Sequence, residues 1–171
     1  MEHFITPHGG ALVNLLTDAD KAEALKTESQ NFPSLTLSQR QLCDLELLMN
    51  GAFSPLTGFM GQQDYESVVD NLRLADGTLW PVPIVFDVAE KFAEKLQKGT
   101  KIALRDNEGF MPAVLTVGDI WRPDKDREAE KVYGTTSNPW DLGRTSGGSS
   151  GGSSLPYFHF KNFLPVTGYS A

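Results

Sequence analysis

The chain has 171 residues, of which 40% are hydrophobic, and its 15 basic and 22 acidic side chains give a net charge of −7 at pH 7. This composition is typical of a globular domain and excludes a disordered chain. The excess of acidic side chains argues against broad binding to nucleic-acid backbones, which depends on clustered Lys and Arg.

The first predicted helix covers residues 17–29. We expect Thr17 to be its N-cap, because a side-chain oxygen there can accept a hydrogen bond from the first turn. Asp18 and Asp20 would then lie in that turn, where the helix dipole favours negative charge.

A second helix is predicted over residues 38–51. Ser38 and Gln41 have the spacing of a capping box, and Gly51 supplies a left-handed stop. Cys43 lies within this helix, and we interpret it as a small packed side chain, not as a reactive thiol. The apolar side chains recur at steps of three and four: Leu42, Leu45 and Met49.

An irregular apolar segment is predicted at 52–61, because Pro55 and two glycines interrupt any long helix or strand. We expect its large side chains to pack inwards: Phe53, Leu56, Phe59 and Met60. A third helix is predicted over residues 62–72, where one apolar stripe follows the helical period: Tyr65, Val68, Val69 and Leu72.

Strand patterns follow in three places. Residues 79–88 are rich in β-branched and aromatic side chains, and Pro81 and Pro83 restrict them to an edge or to the start of a strand. Residues 100–121 predict a β-hairpin. Residues 155–163 alternate as a further strand.

Two short helices are predicted between these strands, over residues 88–99 and 122–134. Together the elements favour a mixed α+β domain, with a small β-barrel or curled sheet flanked by helices.

A run of eight Gly and Ser residues, GGSSGGSS, occupies positions 147–154. Natural turns use residues suited to particular backbone angles, and this repeat shows no such choice. We therefore interpret 145–154 as an engineered flexible linker between a domain at 1–144 and a terminal segment at 155–171. The alternative is a natural low-complexity segment.

Five stretches of the chain match one known family in order. They are PHGG (7–10), RQLCDLELLMNGAFSPLTGFMGQQDY (40–65), RLADGTLWPVPIVFDV (73–88), IALRD (102–106) and DIWRPDK (119–125). These stretches resemble the N-terminal domain of ATP sulfurylase, the sulfate adenylyltransferase. The resemblance is near-continuous from about residue 7 to about residue 136, and it implies a PUA-like fold, a pseudo-β-barrel with flanking helices.

The family joins ATP and sulfate into adenylyl sulfate and pyrophosphate, as part of sulfate assimilation. It holds the phosphates with a Gln-x-Arg-Asn-Pro-x-His-x-x-His signature in its following domain. This sequence has no Arg-Asn-Pro-x-His segment and no P-loop, and its histidines, His3, His8 and His159, are far apart. No catalytic, cofactor-binding or metal-binding residue of the family carries over to this chain.

The resemblance therefore implies a non-catalytic scaffold domain that is inactive alone and needs no cofactor. Its partners would be the catalytic domain of the parent enzyme and neighbouring subunits. No apolar run approaches the ~20 residues of a membrane helix, and the N-terminus lacks the pattern of a secretory signal. The single cysteine cannot form an internal disulfide, so we expect a reducing, cytoplasmic location.

The resemblance weakens after Gly134. Residues 155–163 distantly resemble the family's closing stretch, with His159 at an acidic position, which favours a terminal strand of the same domain. An appended peptide carried by the linker is the alternative. The sequence LPVTG at 164–168 fits a sortase motif without the hydrophobic segment and basic tail of cell-wall anchors, so we interpret it as chance or as an engineered handle.

Three polar residues are candidate anion ligands. His8 lies in a Gly-flanked turn, where a structural or solvated role is favoured. Arg122 and Lys125 could face a phosphate, but Asp124 and Asp126 beside them cancel the local charge. A solvated helix start is the favoured interpretation.

The tryptophans Trp80, Trp121 and Trp140 could stack on the bases of single-stranded nucleic acid. PUA domains elsewhere bind RNA, which makes an RNA-binding module the alternative function. Stacking platforms work beside a basic groove, whereas this chain has a pI near 4.9. Core packing is therefore favoured for these side chains.

Overall fold

The computed structural model describes residues 5–132 in full, together with the backbone of residues 133, 137–138, 141–145 and 157–165. Five α-helices and seven strands are assigned within these ranges. None of the described helices combines the length and the apolar character that crossing a bilayer requires.

The helices are α1 (Ala19–Glu28), α2 (Gln39–Met49), α3 (Gln62–Asn71), α4 (Glu90–Ala93) and α5 (Lys125–Glu128). A 3-10 turn, Ser29–Asn31, follows α1, and a π-helical turn, Ala129–Tyr133, follows α5. The strands are β1 (Ser34–Thr36), β2 (Phe86–Asp87), β3 (Lys101–Arg105), β4 (Ala113–Trp121), β5 (Ser137–Asn138), β6 (Asp141–Thr145) and β7 (Tyr157–Pro165).

Five of these strands form one sheet, in the order β1-β3-β4-β7-β2. β1 runs parallel to β3, and the other neighbouring pairs are antiparallel. β5 and β6 form a separate two-stranded hairpin. The mixed α+β architecture predicted from the sequence is confirmed.

The sheet separates two apolar clusters, because successive side chains on a strand point to opposite faces. Leu115 of β4 belongs to the larger cluster, which α2 and α3 help to form. Its neighbour Val114 belongs to the smaller cluster, together with Ala22 and Leu25 of α1. Both faces of β4 are therefore covered, and β4 is the central strand of the domain.

The start of α2 is set by the predicted capping box. The Ser38 hydroxyl accepts a hydrogen bond from the Gln41 backbone N–H, and the Gln41 side chain accepts one from the Ser38 N–H at 2.9 Å. At the start of α1 the N-cap is Asp18, not Thr17. The Asp18 carboxylate accepts from the Lys21 N–H at 2.8 Å, which places this charge at the positive end of the helix dipole.

The segment at 52–61 packs inwards as predicted. Leu56, Phe59 and Met60 are buried, and Phe53 is half-buried against the same cluster. The stripe on α3 is confirmed except at Leu72. That residue caps the helix with φ +55° and is 41% exposed, because the left-handed turn swings it off the buried face.

The prediction of a strand at 79–88 is wrong for most of these residues, since only Phe86–Asp87 pairs in the sheet. Its place at the sheet edge agrees with the two prolines. The rest of this segment is extended, but its backbone hydrogen bonds go to residues outside the sheet. Trp80 N donates to Leu72 O, and Met60 N donates to Ile84 O, both at 2.8 Å.

The helix predicted at 88–99 is reduced to α4. Beyond it, Lys95 N donates to Phe92 O and Leu96 N to Ala93 O, so the chain continues as tight turns. The prediction at 122–134 is confirmed as α5 and the π-helical turn.

The β3–β4 hairpin is confirmed, with Ile102 opposite Leu115. Its turn is closed by Asp106, whose carboxylate accepts from the N–H groups of Glu108 and Phe110. The strand predicted at 155–163 corresponds to β7. β1 was not predicted, because three residues carry no readable period.

Gly51 and Gly77 allow a test of how the N-terminal segment fits against the turn after α2. Both have φ near +90°, but a Cβ at Gly51 would lie 2.5 Å from the Val13 carbonyl oxygen, whereas a Cβ at Gly77 meets nothing within 4 Å. We expect Gly77→Ala to lower the free energy of unfolding by about 1–2 kcal/mol, the cost of a left-handed residue.

Gly51→Ala should lower it further, by at least about 1 kcal/mol more, because backbone atoms must move. Urea unfolding of the two variants measures the difference. Equal losses would show that residue 13 does not lie against this turn.

Candidate functional site

Each of the three candidate anion ligands contacts another residue of the fold. The His8 Nε2 atom lies 2.7 Å from the Leu79 carbonyl oxygen, and its ring is 6.1 Å from the ring of Trp80. His8 therefore joins the N-terminal segment to the loop before β2. This agrees with the structural role favoured for it.

Arg122 and Lys125 are both engaged by carboxylates. Arg122 forms an ion pair with Glu90, and the Lys125 Nζ atom lies 3.6 Å from Glu128 Oε2. Asp124 caps α5 by accepting from the Arg127 N–H. These contacts fit the interpretation of a helix start better than that of a phosphate site.

Trp80 and Trp121 are each only 7% exposed and belong to the larger core cluster, so core packing is confirmed for both. Trp80 makes an edge contact with Phe53, and Trp121 packs on Tyr65, with ring centroids 5.9 Å apart in each pair. Neither indole offers a face for a base to stack on. Trp140 lies outside the described residues.

The interpretation of Cys43 as a packed side chain is wrong, because the residue is exposed. The buried face of α2 is formed by Gln41, Leu45 and Leu48, and position 43 falls on the opposite side of the helix. The side chains of His3, His159 and the LPVTG segment lie outside the described part of the chain.

The described residues contain no group of three or more His, Cys, Asp or Glu side chains that could hold a metal ion. One surface cleft, of about 330 Å³, includes the cations Lys26 and Arg105 in its lining. Lys26 pairs with Glu23, and Arg105 donates to Ser34 Oγ and to the Gly109 carbonyl. The cleft thus presents its cations already hydrogen-bonded, which is a poor arrangement for gripping a polyanion.

The most distinctive feature of the described surface is a group of exposed large apolar side chains. The N-terminal arm, residues 5–16, is tied down by its backbone: Val13 N donates to Ser54 Oγ at 2.9 Å, and Leu15 N donates to Met49 O at 3.4 Å. Leu15 packs against the larger core cluster, but three large apolar side chains of the arm are exposed, namely Ile5, Leu12 and Leu16. Ile5 is 95% exposed and Leu12 is 64% exposed.

Six of the eight large hydrophobic side chains that are exposed in the described part belong to this arm or to the segment 72–82, which His8 joins to it. We call them the arm surface: Ile5, Leu12, Leu16, Leu72, Leu79 and Val82. Exposed apolar side chains on neighbouring segments are a feature of interaction sites. The arm surface is the candidate functional site of the domain.

A second feature is a set of polar contacts that joins α3 to α5 and to the turn that follows it. The Tyr65 hydroxyl on α3 donates to the buried Glu128 carboxylate on α5 at 2.8 Å, and Asp70 on α3 pairs with Arg127 and Lys131. We call these contacts the clasp. Burial, followed by the Glu128 hydrogen bond, raises the pKa of the Tyr65 hydroxyl. Hydrogen bonds from Lys131 and Arg127 lower the pKa of the Asp70 carboxyl.

Sequence reasoning missed both features. The clasp joins residues 63 positions apart and leaves no local pattern. The arm sequence ALVNLL (11–16) is apolar without a helical or strand period, and this could have indicated an exposed apolar surface.

Residues 5–140 match the family model described as a PUA-like domain. The chain belongs to the PUA-like domain family. This match confirms the fold predicted from the sequence, an α+β domain of PUA-like type.

Similar proteins include the sulfate adenylyltransferase of Eremothecium gossypii, 51% identical over 130 residues, which are 75% of this chain and 26% of that protein. The sulfate adenylyltransferase of Saccharomyces cerevisiae is also 51% identical over 130 residues, covering 74% and 25%. The chain thus spans about a quarter of the length of these relatives. Among solved structures, the hexameric APS kinase from Thiobacillus denitrificans has a TM-score of 0.71 and 33% identity, covering 98% of this chain and 28% of that one.

The clasp predicts a specific dependence of stability on pH. Because the pKa of Asp70 is lowered in the folded state, its contribution is present above the ordinary value of 3.8 and is lost as the pH falls through the folded pKa. Asp70→Asn should therefore be less stable than the unchanged chain at pH 7, and the difference should shrink below pH 3.8.

Chemical unfolding followed from pH 7 into the acid range measures this. Asp126→Asn is the control, because Asp126 is exposed on the adjacent helix and has no ion pair within the described residues. If Asp70→Asn and Asp126→Asn gave the same pH profile, the clasp would not contribute through Asp70.

Proposed function

We propose that this chain is the non-catalytic, N-terminal scaffold domain of a sulfate adenylyltransferase. The observation that carries the proposal is the identity of about half over 130 residues with proteins of that name, of which these residues form only a quarter. The parent reaction would join ATP and sulfate into adenylyl sulfate and pyrophosphate. The domain would support the catalytic part and dock on it and on neighbouring subunits.

The chemistry of the reaction supports a non-catalytic role. A sulfate oxygen must attack the α-phosphorus while two polyanions are held in line, which requires converging, unengaged donors. In the described domain the best-placed cations are already occupied: Lys26 and Arg105 at the cleft, Arg122 and Lys125 at α5. The polyanions would be held by the part of the parent that this chain does not match.

The arm surface supports a docking role. A domain that forms a quarter of a longer protein has part of its surface covered by the remainder, and such surfaces are apolar when the contact is permanent. We assign the arm surface to the catalytic part of the parent, because it holds most of the exposed large hydrophobic side chains of the described domain. Phe110 and Ile120 lie outside it.

The organisation of the chain belongs to the same proposal. We propose that the chain consists of a domain at 1–144, an engineered linker at 145–154 and a terminal strand of the domain within 155–171. The pairing of β7 with β4 and β2 supports the last assignment against an appended peptide. The repeated GGSS sequence supports the linker. A cytoplasmic location stays a prediction from the single cysteine.

The first test is activity. The purified chain, incubated with ATP and either sulfate or molybdate, should release no pyrophosphate above the rate without enzyme. Turnover that rises in proportion to the concentration of this chain would contradict the proposal.

The same test includes a chimaera in which the matched region of this chain replaces the corresponding 130 residues of the Saccharomyces cerevisiae relative. The full-length chimaera should release pyrophosphate if this domain supports the catalytic part. Leu12→Glu or Leu79→Glu in the chimaera should weaken assembly and activity together, because each places a charge in the docking contact.

Phe110→Glu is the matched control, since Phe110 is an exposed apolar side chain on the β3–β4 turn, outside the arm surface. It should leave activity within about twofold, as surface changes usually do. Equal losses in all three variants would remove the arm surface from the proposal.

A further inference from the structure

The position of β7 in the sheet has a consequence beyond the scaffold role. β7 lies between β4 and β2 and is antiparallel to both. We infer that the gap between β4 and β2 is a strand-binding slot, and that its ligand, the segment 157–165, binds there without needing its covalent connection to the rest of the chain.

The two walls of the slot are held independently of β7. β4 is paired along its other edge with β3. β2 is tied to α2, because the Gln41 side chain donates to the Asp87 carbonyl at 2.6 Å and Arg40 pairs with the Asp87 carboxylate. A site whose walls are already fixed binds an extended segment at lower entropic cost.

The buried side chains of the two walls make an empty slot costly. Ala113, Val114 and Val117 of β4, and Phe86 of β2, are at most 1% exposed. Without β7, the backbone N–H and C=O groups that pair with it would lose their partners beside buried side chains. The same main-chain hydrogen bonds supply affinity when an extended peptide is added to a sheet.

The register of β7 on β4 makes the slot selective. The pairs are Ala113↔Pro165, Val114↔Leu164, Thr116↔Lys161, Val117↔Phe160, Ile120↔Phe158 and Trp121↔Tyr157. One irregularity between Val114 and Thr116 shifts the register by one residue, and a second between Val117 and Ile120 shifts it back. If β7 were shifted along β4 by a residue, both irregularities would fall opposite the wrong residues of β4. Only one register therefore pairs all the backbone hydrogen-bonding groups of the two strands.

The connection to β7 does not explain this selectivity. β6 ends at Thr145 and β7 begins at Tyr157, and nine of the eleven residues between them are Gly or Ser. Such a sequence has few side chains that could direct a strand to its place, and linkers of this composition act mainly by raising the local concentration of what they tether. The specificity must come from the slot and the segment.

The test begins with the full chain, in which residues 147–153 are replaced by the recognition sequence of a site-specific protease. The folded protein is then cut. We expect both fragments to co-elute in size-exclusion chromatography, and the midpoint of thermal unfolding to become dependent on protein concentration, as it is not before the cut.

Exchange of the segment gives the decisive comparison. A fluorescent peptide of residues 155–171 should replace the cut fragment, and its Lys161→Ala version should bind within about threefold of the original. The Lys161→Pro version should bind roughly tenfold more weakly or worse, because proline cannot donate to the ladder opposite Thr116.

Two results would overturn the inference. If the fragment leaves and the remainder keeps its far-UV circular dichroism and unfolding midpoint, the segment is not part of the sheet. If the fragment leaves and the remainder unfolds, the slot does not hold its ligand without the covalent link. Neither result depends on whether the chain belongs to a sulfate adenylyltransferase, which the pyrophosphate assays decide separately.

Discussion

The burial of β4 on both faces is the constraint on which the domain depends. Val114 packs with α1 on one side of the sheet, and Leu115 packs with the larger cluster on the other. A strand covered on both faces must satisfy its backbone within the protein, so it needs a partner on each edge. β3 provides one through a tight hairpin, and β7 provides the other from the far end of the sequence.

The contacts that stabilise the domain differ from the side chains that it exposes on its surface. Two sets of polar contacts join parts of the chain that are distant in sequence: the clasp fastens α5 to α3, and His8 fastens the arm to the loop before β2. The described surface offers no cluster of metal-ligating side chains, while the arm exposes Ile5 and Leu12. The domain belongs to the PUA-like family, and the relatives that it matches are about four times the matched length.

Local signals were readable from the sequence, and tertiary ones were not. The capping box of Ser38 and Gln41 and the β3–β4 hairpin are contained within a few residues, so both were predicted correctly. Adjacent Thr17 and Asp18 both suit an N-cap, and only the folded geometry selects the second. The phase of α2 decides that Cys43 faces solvent, and β1 exists because β3 pairs with it. Among the site features, the absence of the family's catalytic signature could be read directly, whereas the clasp and the arm surface depend on residues brought together by folding.

Amide hydrogen exchange along β4 tests the central claim most directly. The exchange rates of its backbone N–H groups, measured by NMR on the full chain, separate those that point to β3 from those that point to β7. If residues 157–165 complete the sheet, the two sets are protected to within about tenfold of each other, because both open only when the central strand unfolds. If the set facing β7 exchanges orders of magnitude faster while the set facing β3 stays protected, β4 is an edge strand and the account is contradicted.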